Sequence, residues 1–240
     1  MPNKYDLAGK FAIVTGGANG IGYAIANLLL ANACEVTIWD ANPADVRGAK
    51  AVLVDITQPT QIAAAIEALP TDQPVDILVN DAGYLGRTTP FVAHSSADWR
   101  RIVDVNLLGT MDVTQAVLPI MIRQGGGRII NFGSLAGKEG LAGIAAYSAA
   151  SAAVISFTKA LSREVAQHNI FVNCVAPGPI DTEMIRNLGP EVISQMIRDS
   201  PLGRLGDPNE VANLVAWLCT DASCFNTGAV FDMSGGRARY

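Results

Sequence analysis

The sequence predicts an α/β fold: a single doubly wound, parallel, seven-stranded sheet with helices on both faces. Three observations lead to it. Short runs rich in β-branched residues alternate with longer helical patterns, and Gly, Pro, Asn and Asp gather between them. Half of the residues are hydrophobic, 16% are charged and aromatics are few, so the core must be built from Ala, Val, Ile and Leu, as suits helices on a buried parallel sheet. A glycine-rich turn follows the first apolar run and opens directly into a helical pattern.

In chain order, strands are expected at 11–15, 35–40, 51–54, 75–80, 128–132, 171–176 and 230–233. Helices are expected at 21–32, 59–69, 97–123, 143–168, 182–199 and 208–220. Between 41 and 50, Pro43 and Gly48 leave too little chain for a crossover helix, so a turn or irregular loop belongs there. No linker or repeat divides the chain, and residues 1–240 are read as one domain.

The net charge of −5 and pI near 5.0, with no run of Lys and Arg, argue against a nucleic-acid partner. The first ten residues are polar, carry Lys4, Asp6 and Lys10, and do not resemble a signal peptide. Uninterrupted apolar runs fall short of the ~18 residues of a membrane span, so a cytoplasmic, soluble protein is expected. Cys34, Cys174, Cys219 and Cys224 form no Cys-x-x-Cys pair and have no companion His, so neither a metal site nor a redox dithiol is expected, and all four read as buried free thiols. His94 and His168 are isolated and read as structural or surface residues.

The chemistry begins at Thr15-Gly16-Gly17-Ala18-Asn19-Gly20-Ile21-Gly22. Glycine at 16 and 20 lets the backbone turn tightly and approach a pyrophosphate, whose charge the free N–H groups of the following helix stabilise. Asn19 and Ile21 stand inside that turn, and Gly22 lets the helix pack closely on the sheet. Asp40 ends the second strand 18 residues after Gly22, near the ~20-residue offset at which an acid accepts hydrogen bonds from an adenine ribose. No Lys or Arg accompanies it to hold a 2′-phosphate, so NAD is preferred over NADP.

The wide glycine spacing resembles the short-chain dehydrogenase/reductase family, a Rossmann-type fold, and further motifs follow in that family's order from Lys10 to Gly236. Val54-Asp55-Ile56 looks like its adenine-contacting segment, and Asn80-Asp81-Ala82-Gly83 like its Asn-Asn-Ala-Gly turn with Asp as the second residue. Asn106 matches the asparagine that kinks the long helix and holds a relay water; Ser134 matches the substrate-polarising serine and Tyr147 the general acid/base. Pro177-Gly178-Pro179-Ile180-Asp181-Thr182 resembles the loop that grips the nicotinamide carboxamide, through the Ile180 backbone and the Thr182 hydroxyl. The resemblance implies hydride exchange between a nicotinamide and a carbinol carbon, with Tyr147 moving the proton while Ser134 bonds the same oxygen.

One departure matters. The family places lysine four residues after the tyrosine, on the same helix face, and here that position is Ser151. The lysine holds the nicotinamide ribose and lowers the tyrosine pKa; moving a phenol from ~10 to ~7 takes about 4 kcal/mol, more than a neutral hydroxyl supplies. Lys159 lies roughly 12 Å along the helix at ~1.5 Å per residue, whereas Lys138, close after Ser134, is the substitute cation to consider. The leading function is an NAD-dependent oxidoreductase acting on a secondary alcohol or ketone with an altered relay. The alternatives are a catalytically silent NAD-binding protein and a nucleotide-free lyase like the halohydrin dehalogenase relatives, against which the intact glycine loop argues.

Residues 86–91, 135–141 and 183–200 are expected to line the substrate pocket, and Arg87, Lys138, Glu139 and Arg186 point to a small polar or sugar-like substrate. The apolar faces of helices 97–123 and 143–168, with the last strand, resemble the contacts through which family members form homotetramers.

Overall fold

The computed structural model describes residues 3–239. Its strands are β1 (Phe11–Thr15), β2 (Glu35–Asp40), β3 (Lys50–Leu53), β4 (Ile77–Asn80), β5 (Gly127–Phe132), β6 (Ile170–Pro177) and β7 (Val230–Met233). All pair in parallel, in the order β3-β2-β1-β4-β5-β6-β7. The chain therefore builds outward from β1 in one direction and from β4 in the other, and the loops leaving these two strands diverge to opposite faces. A crevice opens at their carboxyl ends.

The helices are α1 (Gly20–Ala31), α2 (Pro59–Glu67), α3 (Ser96–Val103), α4 (Thr110–Gln124), α5 (Leu135–Glu139), α6 (Ala145–Val165), α7 (Glu183–Arg186), α8 (Pro190–Asp199) and α9 (Pro208–Leu218). Every residue of β1 is buried because both faces of the sheet are covered. Alternation along β1 divides the core in two: Ala12 and Val14 pack with Ile25, Leu29, Val211 and Val215 of α1 and α9, while Phe11 and Ile13 pack with Val113, Val117, Met121 and Leu161 of α4 and α6.

Several sequence expectations need correction. The 97–123 helix is α3 and α4 joined through a π-helical stretch, Asp104–Gly109. The resulting helix, Ser96–Gln124, is long and apolar enough to cross a membrane by length and composition, with a mean hydropathy of 1.4 in its most apolar window. Isolated polar residues such as Asn106 and Asp112 interrupt the apolar runs along this helix. Val113, Val117 and Met121 point into the core.

The 182–199 helix is two helices broken at Gly189, whose φ of 90° leaves the right-handed region. Five-residue α5 was missed because so short a segment shows no periodicity; Ser134 caps it, its Oγ accepting the Ala136 N–H at 3.1 Å. Cys34, Cys174 and Cys219 are buried, but Cys224 is exposed. Burial pushes the Cys34 and Cys174 thiols up to about 12, out of the reactive range.

A buried polar chain ties both halves together behind the crevice. Asn80 Nδ2 donates to Thr114 Oγ1 at 3.0 Å and to Asn131 Oδ1 at 2.9 Å, and Asn131 Nδ2 donates to Thr158 Oγ1 at 3.0 Å, joining β4, β5, α4 and α6. Replacing Asn131, which is 0% exposed, strands partners on both sides. Asn131→Ala is expected to lower the unfolding free energy by about 2–4 kcal/mol, read from the urea midpoint at unchanged slope; a loss under about 0.5 kcal/mol would show that the chain contributes little.

Candidate active site

The crevice is a cleft of about 820 Å³ that runs from the end of β2 across β1 and β4 to α7 and α8. Its phosphate end is made by close backbone approach. Gly16 has φ +72°, and a Cβ there would stand 2.7 Å from the Ala82 N and Cα atoms, so the turn after β1 lies directly against the turn after β4. A Cβ on Gly22 would meet the Gly16 carbonyl oxygen at 2.4 Å, which locks the first turn of α1 over that turn. Asn19 is the N-cap of α1 but makes no side-chain cap bond, and the first turn holds no acid; the Gly22 N–H faces the Asp81 carboxyl, and the N–H groups of Gly20 and Ile21 are left for a ligand. Thr182 packs over Gly20, its Cγ2 3.4 Å from where a Cβ would stand.

Asp40 closes the opposite wall. Its Oδ2 accepts the Ala18 N–H at 3.0 Å and its Oδ1 the Asn42 N–H at 2.8 Å, so the carboxylate is fixed beside the glycine turn. Asp55 accepts from the Thr57 N–H at 2.9 Å, and Asp55 and Ile56 line the same end.

At the centre, Asn106 is held inside the π-helical stretch, where its side chain clamps the backbone of Tyr84. Its Oδ1 accepts the Tyr84 N–H at 3.1 Å, and its Nδ2 donates to the Tyr84 and Ile102 carbonyls, both at 2.7 Å. Tyr147, in the first turn of α6, faces Ser134 and Ser151. Burial lifts its phenol above the ordinary tyrosine range; hydrogen bonding with Ser134 and Ser151 offsets part of that rise, and the charge of Asp81 adds to it. Among the described residues no cation contributes to this balance. The Ala136 N–H occupies a lone pair of Ser134 Oγ, which leaves the hydroxyl proton for the cleft.

The structure thus brings Gly16, Asn19, Gly20, Ile21, Asp40, Asp55, Ile56, Ala82, Gly83, Asn106, Ser134, Tyr147, Ser151, Pro177, Gly178, Ile180 and Thr182 to one cleft. Two expected cofactor residues stand behind its wall. The Asn80 Nδ2 group is engaged in the buried polar chain while its Oδ1 is buried without a hydrogen-bond partner, and Gly22 serves the packing of α1. Lys138 does not replace the missing lysine, because its Nζ pairs with Asp232 at 2.8 Å outside the cleft lining. Lys159 is also outside that lining.

The four charges that suggested a polar substrate are equally misplaced. Arg186 pairs with Asp181 at 2.7 Å, Glu139 with Arg237 at 3.4 Å, and Arg87, Lys138, Glu139 and Arg186 are all absent from the cleft wall. Leu85, Leu141, Met184, Leu188, Val192 and Met196 form that end instead. Of residues 86–91 only Thr88 reaches it. Asp81 also lines the cleft and did not stand out as a site residue, since a lone acid in a turn has no spacing signature.

A parallel doubly wound sheet with a glycine turn, an uncapped helix start and a Ser–Tyr pair in one cleft defines an oxidoreductase, and the chain belongs to the short-chain dehydrogenase/reductase family. The family model described as enoyl-(acyl carrier protein) reductase matches residues 16–238. The 3-oxoacyl-(acyl-carrier-protein) reductase FabG of Vibrio cholerae is 39% identical over 241 residues, covering 96% of this chain and 98% of its own. The 2-dehydro-3-deoxy-L-rhamnonate dehydrogenase (NAD(+)) of a Sphingomonas species is 35% identical and covers 97% of each chain. The ligand-free aldohexose dehydrogenase of Thermoplasma acidophilum superposes with a TM-score of 0.92 at 30% identity, covering 98% of this chain and 96% of its own.

Proposed function

We propose that the protein, as one domain over residues 1–240, is an NAD-dependent oxidoreductase that interconverts a ketone and a secondary alcohol, and that it works best as a reductase near neutral pH. The supporting observation is the Tyr147 phenol, held by two serine hydroxyls with no cation beside it. Such a phenol keeps its proton at neutrality and is ready to donate it to a carbonyl oxygen undergoing reduction. In the reverse direction it must first lose that proton, which needs alkaline conditions.

The residues present fit a nicotinamide dinucleotide. The uncapped start of α1 and the bare backbone of Gly16 and Gly20 would receive the pyrophosphate, Asp40 the adenine ribose, Asp55 and Ile56 the adenine edge, and Ile180 and Thr182 the carboxamide. When bound, the dinucleotide supplies or accepts the hydride. Ser134 orients the substrate oxygen toward Tyr147, and Ser151 holds the phenol from the other side. Asn106 fixes the Tyr84 segment, which forms the wall between these two ends. The leucine and methionine lining favours a substrate with an apolar body over a sugar or polyol.

A silent cofactor-binding protein is the second reading, favoured by the absence of a cation at Ser151. Binding of NADH with no turnover of any 3-oxo ester, aldose or polyol at pH 6–10 would support it over the reductase.

We also propose a homotetramer. Leu108, Met111 and Ile122 stand exposed on the long helix, and Phe225 is wholly exposed just before β7, as contacts on two faces would require. Sedimentation at micromolar concentration is expected to give four chains; a stable monomer would remove this proposal.

For the cofactor, NADH is expected to bind at least tenfold more tightly than NADPH, and Asp40→Ala to narrow that ratio, because the carboxylate repels a 2′-phosphate. Equal affinities in the unchanged protein would contradict the assignment. For the relay, Ser151→Lys is expected to raise alcohol oxidation at least tenfold near neutrality and to move its pH optimum down, since an ammonium there favours the tyrosinate. Tyr147→Phe should abolish that gain. Unchanged rate and profile in Ser151→Lys would show that Tyr147 is not the proton carrier.

A further inference from the structure

Building on the reading of the cleft as a dinucleotide site, we propose that Asp81 is a titrating member of the phosphate cradle: protonated, it admits a pyrophosphate, and ionised, it expels one. The geometry begins with position. Asp81 follows β4 in the turn pressed against Gly16, and its Oδ2 lies 2.8 Å from the point where a Gly22 Cβ would stand, beside the Gly16 carbonyl oxygen. The carboxyl therefore sits under the first turn of α1 and faces the Gly22 N–H, at the helix start on which a phosphate would depend.

Charge then decides which form is compatible with a ligand. The turn from Thr15 to Gly22 contains no charged residue, and among the described residues the cations lining the cleft are Arg101 and Arg237. Arg101 stacks on the Tyr84 ring with its guanidinium 4.8 Å from the centroid, and Arg237 is engaged by Glu139 and Asp199. Asp40 already places one carboxylate on the glycine turn, through the Ala18 N–H. An ionised Asp81 would make two carboxylates flanking an incoming diphosphate, with helix N–H groups as the only positive counterweight.

A neutral carboxyl removes that conflict. It keeps the size of the asparagine that relatives of this motif carry, and it can donate as well as accept. The titratable groups facing Asp81 are Asp40 at the end of β2 and Tyr147 on α6, and α1 adds no acid in its first turn. Asp104, from the π-helical stretch, lines the cleft as a further acid. Burial raises the Asp81 pKa well above the usual carboxylate range, the Gly22 N–H opposes this, and Asp40 adds to it. The sign follows: protonated Asp81 is present at low pH, and the pyrophosphate site weakens as pH rises through its pKa.

The test is affinity against pH with the intact protein and Asp81→Asn, using ADP-ribose and NADH as pyrophosphate-bearing probes and adenosine as a probe without phosphate. Affinity of the unchanged protein for both pyrophosphates should fall as pH rises through the raised Asp81 pKa, by up to about tenfold per pH unit above it, as expected for one linked proton. Asp81→Asn should bind them with a flat profile, matching the unchanged protein at low pH and exceeding it at high pH, while adenosine binds alike in both. Thermal unfolding of the variant shows whether its fold is kept; if Asp81→Asn is unfolded, Asp81→Ser takes its place with the same expectation of a flat profile. Parallel pH profiles in the unchanged protein and the folded variant would overturn the role of Asp81 and leave the dinucleotide site standing. Absence of NADH binding at every pH would overturn the dinucleotide site itself, and this proposal with it.

Discussion

Contact between two turns organises the cleft. The chain leaving β1 and the chain leaving β4 touch backbone to backbone, with Gly16 so near Ala82 that a single Cβ would force them apart. That contact follows from the strand order, in which β1 and β4 are neighbours whose connections depart to opposite sides. It fixes the start of α1, since Gly22 rests on the Gly16 carbonyl, and it delivers Asp81 beneath that start. Gly83 in the same turn approaches Asn106, whose amide holds Tyr84, so the turn also sets the π-helical bend at mid-cleft.

Around this frame the electrostatics run in one direction. Asp40, Asp55, Asp81 and Asp104 line the cleft, and residue 151, where the motif resemblance implies lysine, is a buried serine, 3% exposed. Of these acids Asp81 acts on Tyr147, its charge adding to burial in working against a negative charge on the phenol. Hydroxyl groups at Ser134 and Ser151 hold the phenol in place without ionising it. Ser134 can do this because it is also the cap of α5, and α5 is pressed so close to α6 that a Cβ on Gly137 would stand 2.7 Å from the Ala152 nitrogen. Packing between two helices thus positions the hydroxyl that touches the phenol.

The parts of this arrangement legible in the sequence are those with a period or a fixed offset. All seven strands and the parallel sheet follow from β-branched runs, and Asp40 follows from its distance to the glycine turn. Most of the cleft residues follow from motif resemblance, Ser151 among them as a departure. What could not be read depends on where long side chains settle. Lys138 and Glu139 sit in the segment after Ser134 and look available for substrate, yet Asp232 and Arg237, distant in sequence, claim them. The substrate end consequently looked charged in sequence and is apolar in space. Asn80 belongs to a cofactor motif by position, but its amide nitrogen donates to Thr114 and Asn131, contacts that exist only once α4 and β5 are packed. Asp81 had no periodic signal, and its significance lies in what surrounds it.

The central claim is that Tyr147 is a protonated acid held by hydroxyls, and the ionisation of that one phenol tests it most directly. Tyrosinate absorbance followed from pH 7 to 12 in the unchanged protein, minus the same titration of Tyr147→Phe, isolates its transition. The account predicts a midpoint above the ~10 of an ordinary tyrosine. A midpoint near 7 would contradict it, and would mean that a positive charge reaches the phenol from a source other than residue 151.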